Sequence, residues 1–326
     1  MTANPRAGDE TRQLAVLLPD GWQDYQLLDS GAGRKLERFG RYVLDRPEPN
    51  ALWRPRRPEA DWREADARFD EGWSARTPMP ERWEMQYEPL RLRFFAACRP
   101  FRHTGVFPEQ AGHWTWLAER VAPRLAPPAG YPSDGPGTRP KDGWGYPAPG
   151  TRHPARHPAH VLVLFGYTGL ATLALVGAGA RVTHVDASRP AMTWARENAA
   201  ASGLDDRPIR WLIDDALKFL RREARRGVRY DGIVMDPPAF GRGPSGEVWR
   251  FNTSLPPLLE AAAAVLARDP LLLLLNAYAV PASATMLANL VGDLVPGHGR
   301  LEAGELAVEG GDRVLATGPF ARWSAL

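Results

Sequence analysis

From residue 160 onward the chain alternates short apolar runs with longer stretches in which apolar residues return every three or four positions. Val161-Leu162-Val163-Leu164 is uninterrupted apolar sequence, the pattern of a strand buried on both faces of a parallel sheet. Helical periodicity follows at 170–178 and again at 189–201, where Ala191, Trp194 and Ala195 share one face. Between and after these lie strand-like runs at 181–185, 209–213, 232–235 and 271–275, with further helical stretches at 255–266 and 282–294. Strand and helix in strict alternation predict a mostly parallel sheet with right-handed crossovers and helices on both faces. Two final runs, 300–308 and 313–320, flank Glu309-Gly310-Gly311-Asp312 and predict an antiparallel hairpin. Before residue 100 the runs are shorter and break at turn residues, as at 30–33, which predicts a small meander of strands.

In such a sheet, ligands bind where the strands end, and the strand ends here carry chemistry. The first predicted strand runs into Phe165-Gly166-Tyr167-Thr168-Gly169. Gly166 and Gly169 permit a tight turn and a close backbone approach, and Thr168 is read as the N-cap of the helix that follows. The spacing is G-x-x-G, not the G-x-G-x-x-G that a dinucleotide pyrophosphate requires. The second strand ends in Asp186-Ala187, where a carboxylate can accept both hydroxyls of a ribose; Ser188 then caps the next helix. The third ends in Asp214-Asp215-Ala216, where an acid can accept from an adenine amine, with Ile213 and Leu217 on the ring faces. Taken one at a time, each acid could be a solvated helix cap. Three successive strand ends with suitable groups favour a nucleoside-bearing ligand.

The fourth strand, Gly232-Ile233-Val234-Met235, ends in Asp236-Pro237-Pro238-Ala239-Phe240. Adjacent prolines fix φ and remove two backbone donors. Asp236 and the Pro237 carbonyl can accept the hydrogens of a planar amino group, and Phe240 can stack on the ring that carries it. The plainer alternative is a stiff loop start. The glycine-rich stretch 241–251, with Arg242 and Arg250, is expected to be a substrate lid.

The set FGYTG, VDAS, WARENAAASGL, DDALKFL and DPPAF resembles class I S-adenosylmethionine-dependent methyltransferases. More narrowly it resembles the branch with bacterial large-subunit ribosomal-RNA methyltransferases of cytosine-C5 and guanine-N2 type. His103-Thr104-Gly105-Val106-Phe107-Pro108-Glu109-Gln110 is similar to a TG-aromatic-aromatic-x-x-Q pattern of that branch. The resemblance implies a Rossmann-like seven-stranded α/β fold over residues 101–326, with an antiparallel C-terminal hairpin and a small β-rich region at 1–100. It implies S-adenosyl-L-methionine as cofactor, with Phe165, Gly166, Tyr167, Thr168 and Gly169 around its methionine and ribose. It further implies Asp186 and Ala187 at the ribose, Asp215 before Asp214 at the adenine amine beside Ala216, and Gln110 at the methionine. Asp236, Pro237 and Phe240 would face the acceptor. Cytosine-C5 enzymes of the branch need a cysteine nucleophile and place it after the fifth strand. Here that loop reads Asn276-Ala277-Tyr278-Ala279-Val280-Pro281. The one cysteine, Cys98, follows Phe94-Phe95-Ala96-Ala97 and reads as a small buried hydrophobe. Direct transfer to nitrogen or oxygen is therefore expected.

Composition refines this only slightly. A formal charge of +3, from 41 basic and 38 acidic residues, argues weakly for nucleic acid. Only Lys35, Lys141 and Lys218 are lysines. A single cysteine excludes an intrachain disulfide and suits the cytoplasm. No apolar run approaches the ~20 residues of a membrane helix, and 1–13 is polar with no signal-peptide core. Trp53, Trp62, Trp73 and Trp83, interleaved with arginines and acids, fit a small aromatic core better than a stacking face for RNA. The Pro/Gly-rich segment 123–158 reads as a loop. His153, His157 and His160 are separated by prolines and give no metal site. The expected partner is RNA, ribosomal RNA first, with no membrane or metal, and the sequence allows a homodimer. The competing readings are a small-molecule or protein acceptor, and a non-catalytic cofactor- or RNA-binding scaffold.

Overall fold

The computed structural model describes residues 14–100, 102–122 and 158–325. The polar N-terminus, His153, His157 and nearly all of the Pro/Gly-rich segment lie outside the described residues.

The N-terminal part contributes β1 (Ala15–Leu17), β2 (Tyr25–Gly31), β3 (Arg34–Phe39), β4 (Tyr42–Pro47), α1 (Glu59–Arg63), β5 (Ala67–Phe69), β6 (Trp73–Ala75), β7 (Trp83–Tyr87) and β8 (Leu92–Ala96). The sheet β2-β3-β4-β5-β6 and the β7-β8 hairpin form the β-rich region. Trp62 and Trp83 are buried in it, while Trp53 and Trp73 are half-buried against the core. Neighbouring arginines pair with acids, as in Arg34–Asp45 and Arg57–Asp61. The tryptophans are thus packed in or against the core, with ion pairs around them that range from the buried Asp45 to the exposed Arg57–Asp61.

After α2 (Ala111–Val121), strands and helices alternate: β9 (His160–Leu164), α3 (Leu170–Gly177), β10 (Arg181–Asp186), α4 (Arg189–Ala201), β11 (Ile209–Ile213), α5 (Ala216–Arg225) and β12 (Gly232–Met235). They continue with β13 (Phe240–Arg242), β14 (Val248–Arg250), α6 (Phe251–Ala263), β15 (Leu272–Asn276), α7 (Ala284–Gly292), β16 (Arg300–Gly310) and β17 (Arg313–Ser324). The main sheet runs β1-β16-β17-β15-β12-β9-β10-β11. β9 to β12 and β15 are parallel, and β17 is antiparallel to both β15 and β16. Every residue of β12 and β15 is buried, at roughly 1.5–3 kcal/mol for each large aliphatic side chain. This is the Rossmann-like sheet the pattern predicts, with its hairpin.

Two details differ from the sequence-based expectations. The sheet has eight strands, because β1 adds in parallel to the outer edge of β16 and covers backbone groups an edge would leave open. Thr168 is not the N-cap of α3. Gly169 takes that position at φ 89°, and the Thr168 hydroxyl instead donates to the Gly105 carbonyl at 2.7 Å. Within the stretch expected to be a substrate lid, β13 and β14 pair as an antiparallel hairpin, and α6 begins directly after it.

Candidate active site

The ends of β9, β10, β11 and β12 surround a cleft of about 620 Å³, a volume suited to a small ligand. The loop after β9 is strained. Phe165 and Tyr167 have φ of 56° and 48°, conformations that cost of order 1–3 kcal/mol each in non-glycine residues and concentrate at ligand sites. Gly166 owes its identity to packing: a Cβ there would lie 2.3 Å from the buried His184 ring. The segment 102–110 docks onto this loop. Gly105, at φ 86°, lies against the Trp194 ring, which a Cβ would meet at 2.3 Å. The Thr168–Gly105 hydrogen bond joins two motifs 63 residues apart.

Asp186 accepts the Tyr167 N–H on one oxygen and the Ser188 N–H on the other, both at 2.8 Å. Burial still holds its carboxyl above the ordinary range. Each oxygen keeps a lone pair for an incoming hydroxyl. Asp214 accepts from Asp215 N at 2.9 Å and is paired with the Arg222 guanidinium at 2.6 Å. Asp215 caps α5 through one oxygen, accepting from Lys218 N. Its other oxygen carries no hydrogen bond among the described residues. Val185 and Ala216, rather than Ile213 and Leu217, line the cleft beside them, because the cleft opens past the strand ends and not along the strand faces.

Asp236 stands at the centre. Gln110 donates to its Oδ2 at 2.7 Å, and Asn276 Nδ2 donates to Gln110 Oε1 at 3.2 Å. Burial pushes the Asp236 carboxyl up to about 6, against the lowering effect of those amides. Gln110, expected at a methionine, lines the cleft and also donates to the aspartate. Asn276, at the end of β15, lines the cleft too. The sequence reading passed over it, having searched that loop for a cysteine; an amide at a strand end was the available signal. The turn after Asp236 is fixed by the Trp249 indole, which donates to the Pro238 carbonyl at 2.6 Å and packs on Phe165 at 4.9 Å. Glu247 pairs with Lys218 and anchors the hairpin tip. Phe240 projects at the mouth, 56% exposed, beneath the Arg250 guanidinium. The opposite wall holds His103, Phe107 and Tyr278 in mutual ring contact, with Arg102 over Tyr278.

Cys98 does not line this cleft, and burial pushes its thiol up to about 12. His160 belongs to the core, accepting from Arg181 and paired with Thr183. No cluster able to hold a metal occurs among the described residues, and no helix among them is long and apolar enough to cross a membrane.

Comparison with known proteins decides the family. The solved SAM-dependent methyltransferase from Agrobacterium tumefaciens is 39% identical, with a TM-score of 0.82 over 97% of this chain and 95% of that one. The chain belongs to the S-adenosylmethionine-dependent methyltransferases. The SMU.776 protein, solved with SAH, shares the methyltransferase's fold at 15% identity and a TM-score of 0.64, over 92% of this chain and 75% of that one. Among curated proteins, ribosomal RNA large subunit methyltransferase I of Klebsiella pneumoniae is 44% identical over 81 residues, and its Alteromonas mediterranea counterpart 39% over 83. These matches take in about a quarter of this chain and span about a fifth of the relatives' length. No family model matches.

The cleft fits the cofactor. Its lining joins two carboxylates with acceptor capacity to spare, Asp186 and Asp215, to a loop with positive φ at Phe165 and Tyr167.

Proposed function

We propose that this methyltransferase modifies a base in RNA, with ribosomal RNA as the first candidate, by direct transfer to an exocyclic amine. One observation carries the reading: Asp236, held by Gln110, opens into a cleft whose mouth combines an exposed aromatic ring with Arg99, Arg102, Arg242 and Arg250. A base can stack on Phe240, a contact worth roughly 1–3 kcal/mol, while the arginines attract its phosphates. A base within a helix would first be flipped out. The local similarity to large-subunit methyltransferases supports the same acceptor class.

In this reading Asp186 holds the ribose hydroxyls and Asp215 the adenine amine. The loop 165–169, with Ala187 and Ala216, encloses the rest of the cofactor. When bound, S-adenosylmethionine supplies a methyl activated by its sulfonium. Asp236 and the Pro237 carbonyl accept the amine hydrogens, draw its lone pair out of conjugation with the ring, and take up charge as the nitrogen becomes cationic. The side chains of the cleft align the acceptor and exclude water. Half-buried as a neutral thiol outside the cleft, Cys98 is unsuited to the covalent route to cytosine C5. Residues 101–326 would carry the chemistry, with Arg99 reaching the cleft from the region before them, and the enzyme would act in the cytoplasm.

The test is transfer of radiolabelled methyl from S-adenosylmethionine into total RNA from cells lacking the enzyme, with Asp236→Ala as control. Ribonuclease-sensitive label in large-subunit RNA, absent with the variant, is expected. Retained cofactor binding with no RNA label would move the acceptor to a protein or small molecule.

A further inference from the structure

From Asp236 a line of polar groups starts at the cleft wall with Gln110 and Asn276 and continues into the buried core. The Gln110 amide donates through Nε2 to Asp236 and accepts through Oε1 from Asn276 Nδ2. Beyond Asn276 lies His113, fully buried on α2. His113 Nε2 and Asn276 Oδ1 are both buried without a hydrogen bond of standard geometry. Both residues meet Phe320, His113 by ring contact at 4.8 Å and Asn276 as its cross-strand partner, and Asn276 acts on the His113 ring as a hydrogen-bond partner. On its far side His113 Nδ1 meets Arg322 Nη1 at 3.5 Å, and Arg322 donates to Glu302 at 2.8 Å.

The order of donors follows from one group. An arginine has no acceptor, so Nδ1 of His113 must accept, and the ring's one proton in its neutral form sits on Nε2. That proton is the donor available to Asn276 Oδ1, which lacks one. Asn276 must then present its NH2 to Gln110, and Gln110 its NH2 to Asp236. Reversing any one link sets carbonyl against carbonyl, or the Gln110 carbonyl against a carboxylate.

We propose that His113 and Asn276 are positioning residues for the methyl transfer: they fix which way the Gln110 amide faces, and so hold the Asp236 carboxylate turned toward the acceptor. This rests on reading Asp236 as the group that grips the acceptor amine. Neither residue touches the reacting atoms. Their contribution is a hydrogen-bond chain with all its dipoles aligned, in which each link strengthens the next.

Three variants of the full chain test it. Asn276→Asp keeps shape but removes the donor to Gln110, which should then turn its carbonyl to Asp236. His113→Phe removes the ring's donor, whereas His113→Gln can still donate to Asn276. Expected are a fall in kcat of about ten- to a hundredfold for N276D and H113F, S-adenosylmethionine affinity within about threefold of wild type, and recovery of most of the rate in H113Q. Nitrogen-15 NMR of the histidines, with His113 assigned by its loss in H113Q, should show a neutral ring protonated on Nε2. A proton on Nδ1, equal rates for H113Q and H113F, or an unimpaired N276D would each overturn the proposal. The tautomer needs no acceptor. If wild type methylates no RNA, the acceptor reading fails while the NMR still decides the relay.

Discussion

Asp236 is raised from 3.8 to about 6 by burial, and this has a cost that can be measured without any substrate. For a carboxylate whose folded value lies above its unfolded one, stability is fully present below the unfolded value and is lost as pH rises through the folded value. Asp236 therefore adds nothing adverse below about pH 4, weakens the fold progressively between 4 and 6, and reaches its full cost above that. At about 1.4 kcal/mol per tenfold change in the proton equilibrium, the cost is at most about 3 kcal/mol, the partial opening of Asp236 to the cleft reducing it.

Asp236→Asn removes the charge and keeps the shape. The new amide can still accept from Gln110 through its oxygen, so the network survives on that side. The variant should resist urea better than wild type at pH 8, by about 1–3 kcal/mol, and the two should converge at pH 4. Methyl transfer should fall at least a hundredfold, because a neutral amide cannot take up the charge of the reacting amine. Urea unfolding at both pH values, followed by tryptophan fluorescence, reads the first effect directly. An equal gain at pH 4 and pH 8, or a loss at pH 8, would refute the claim that Asp236 is held ionised against its surroundings.

Two further outcomes follow from the packing. Gly166→Ala places a methyl 2.3 Å from the His184 ring and should cost about 1–3 kcal/mol by overpacking, lowering the thermal midpoint and cofactor affinity together. Phe240→Ala, at an exposed position, should leave stability within about 0.5 kcal/mol and cofactor affinity unchanged while raising the KM for RNA roughly tenfold, the share expected of one stacked base.

What the sequence disclosed and what it concealed divide along a physical line. Asp186, Asp215 and Asp236 were legible because a parallel strand is an uninterrupted apolar run, and the first polar residue after it must stand at the sheet's ligand-binding edge. Elements held by distant partners left no such mark. β1 joins the sheet through a strand nearly 300 residues later, and the hairpin β13–β14 is stabilised by Trp249 on the Pro238 carbonyl, a contact that the glycines of its sequence disguise. Thr168 was assigned to its own helix because capping is local, yet its hydroxyl is spent on Gly105. Gln110 and Asp236, 126 positions apart, each suggested a role toward a ligand, and only the fold shows that they are also hydrogen-bonded to each other. Local chemistry names the groups that meet the substrate. The groups that aim them lie in other segments, and their constraint is mutual orientation, which residue spacing does not encode. That is why Asn276, unremarkable in its loop, becomes a necessary link once the Gln110 amide has to face one way.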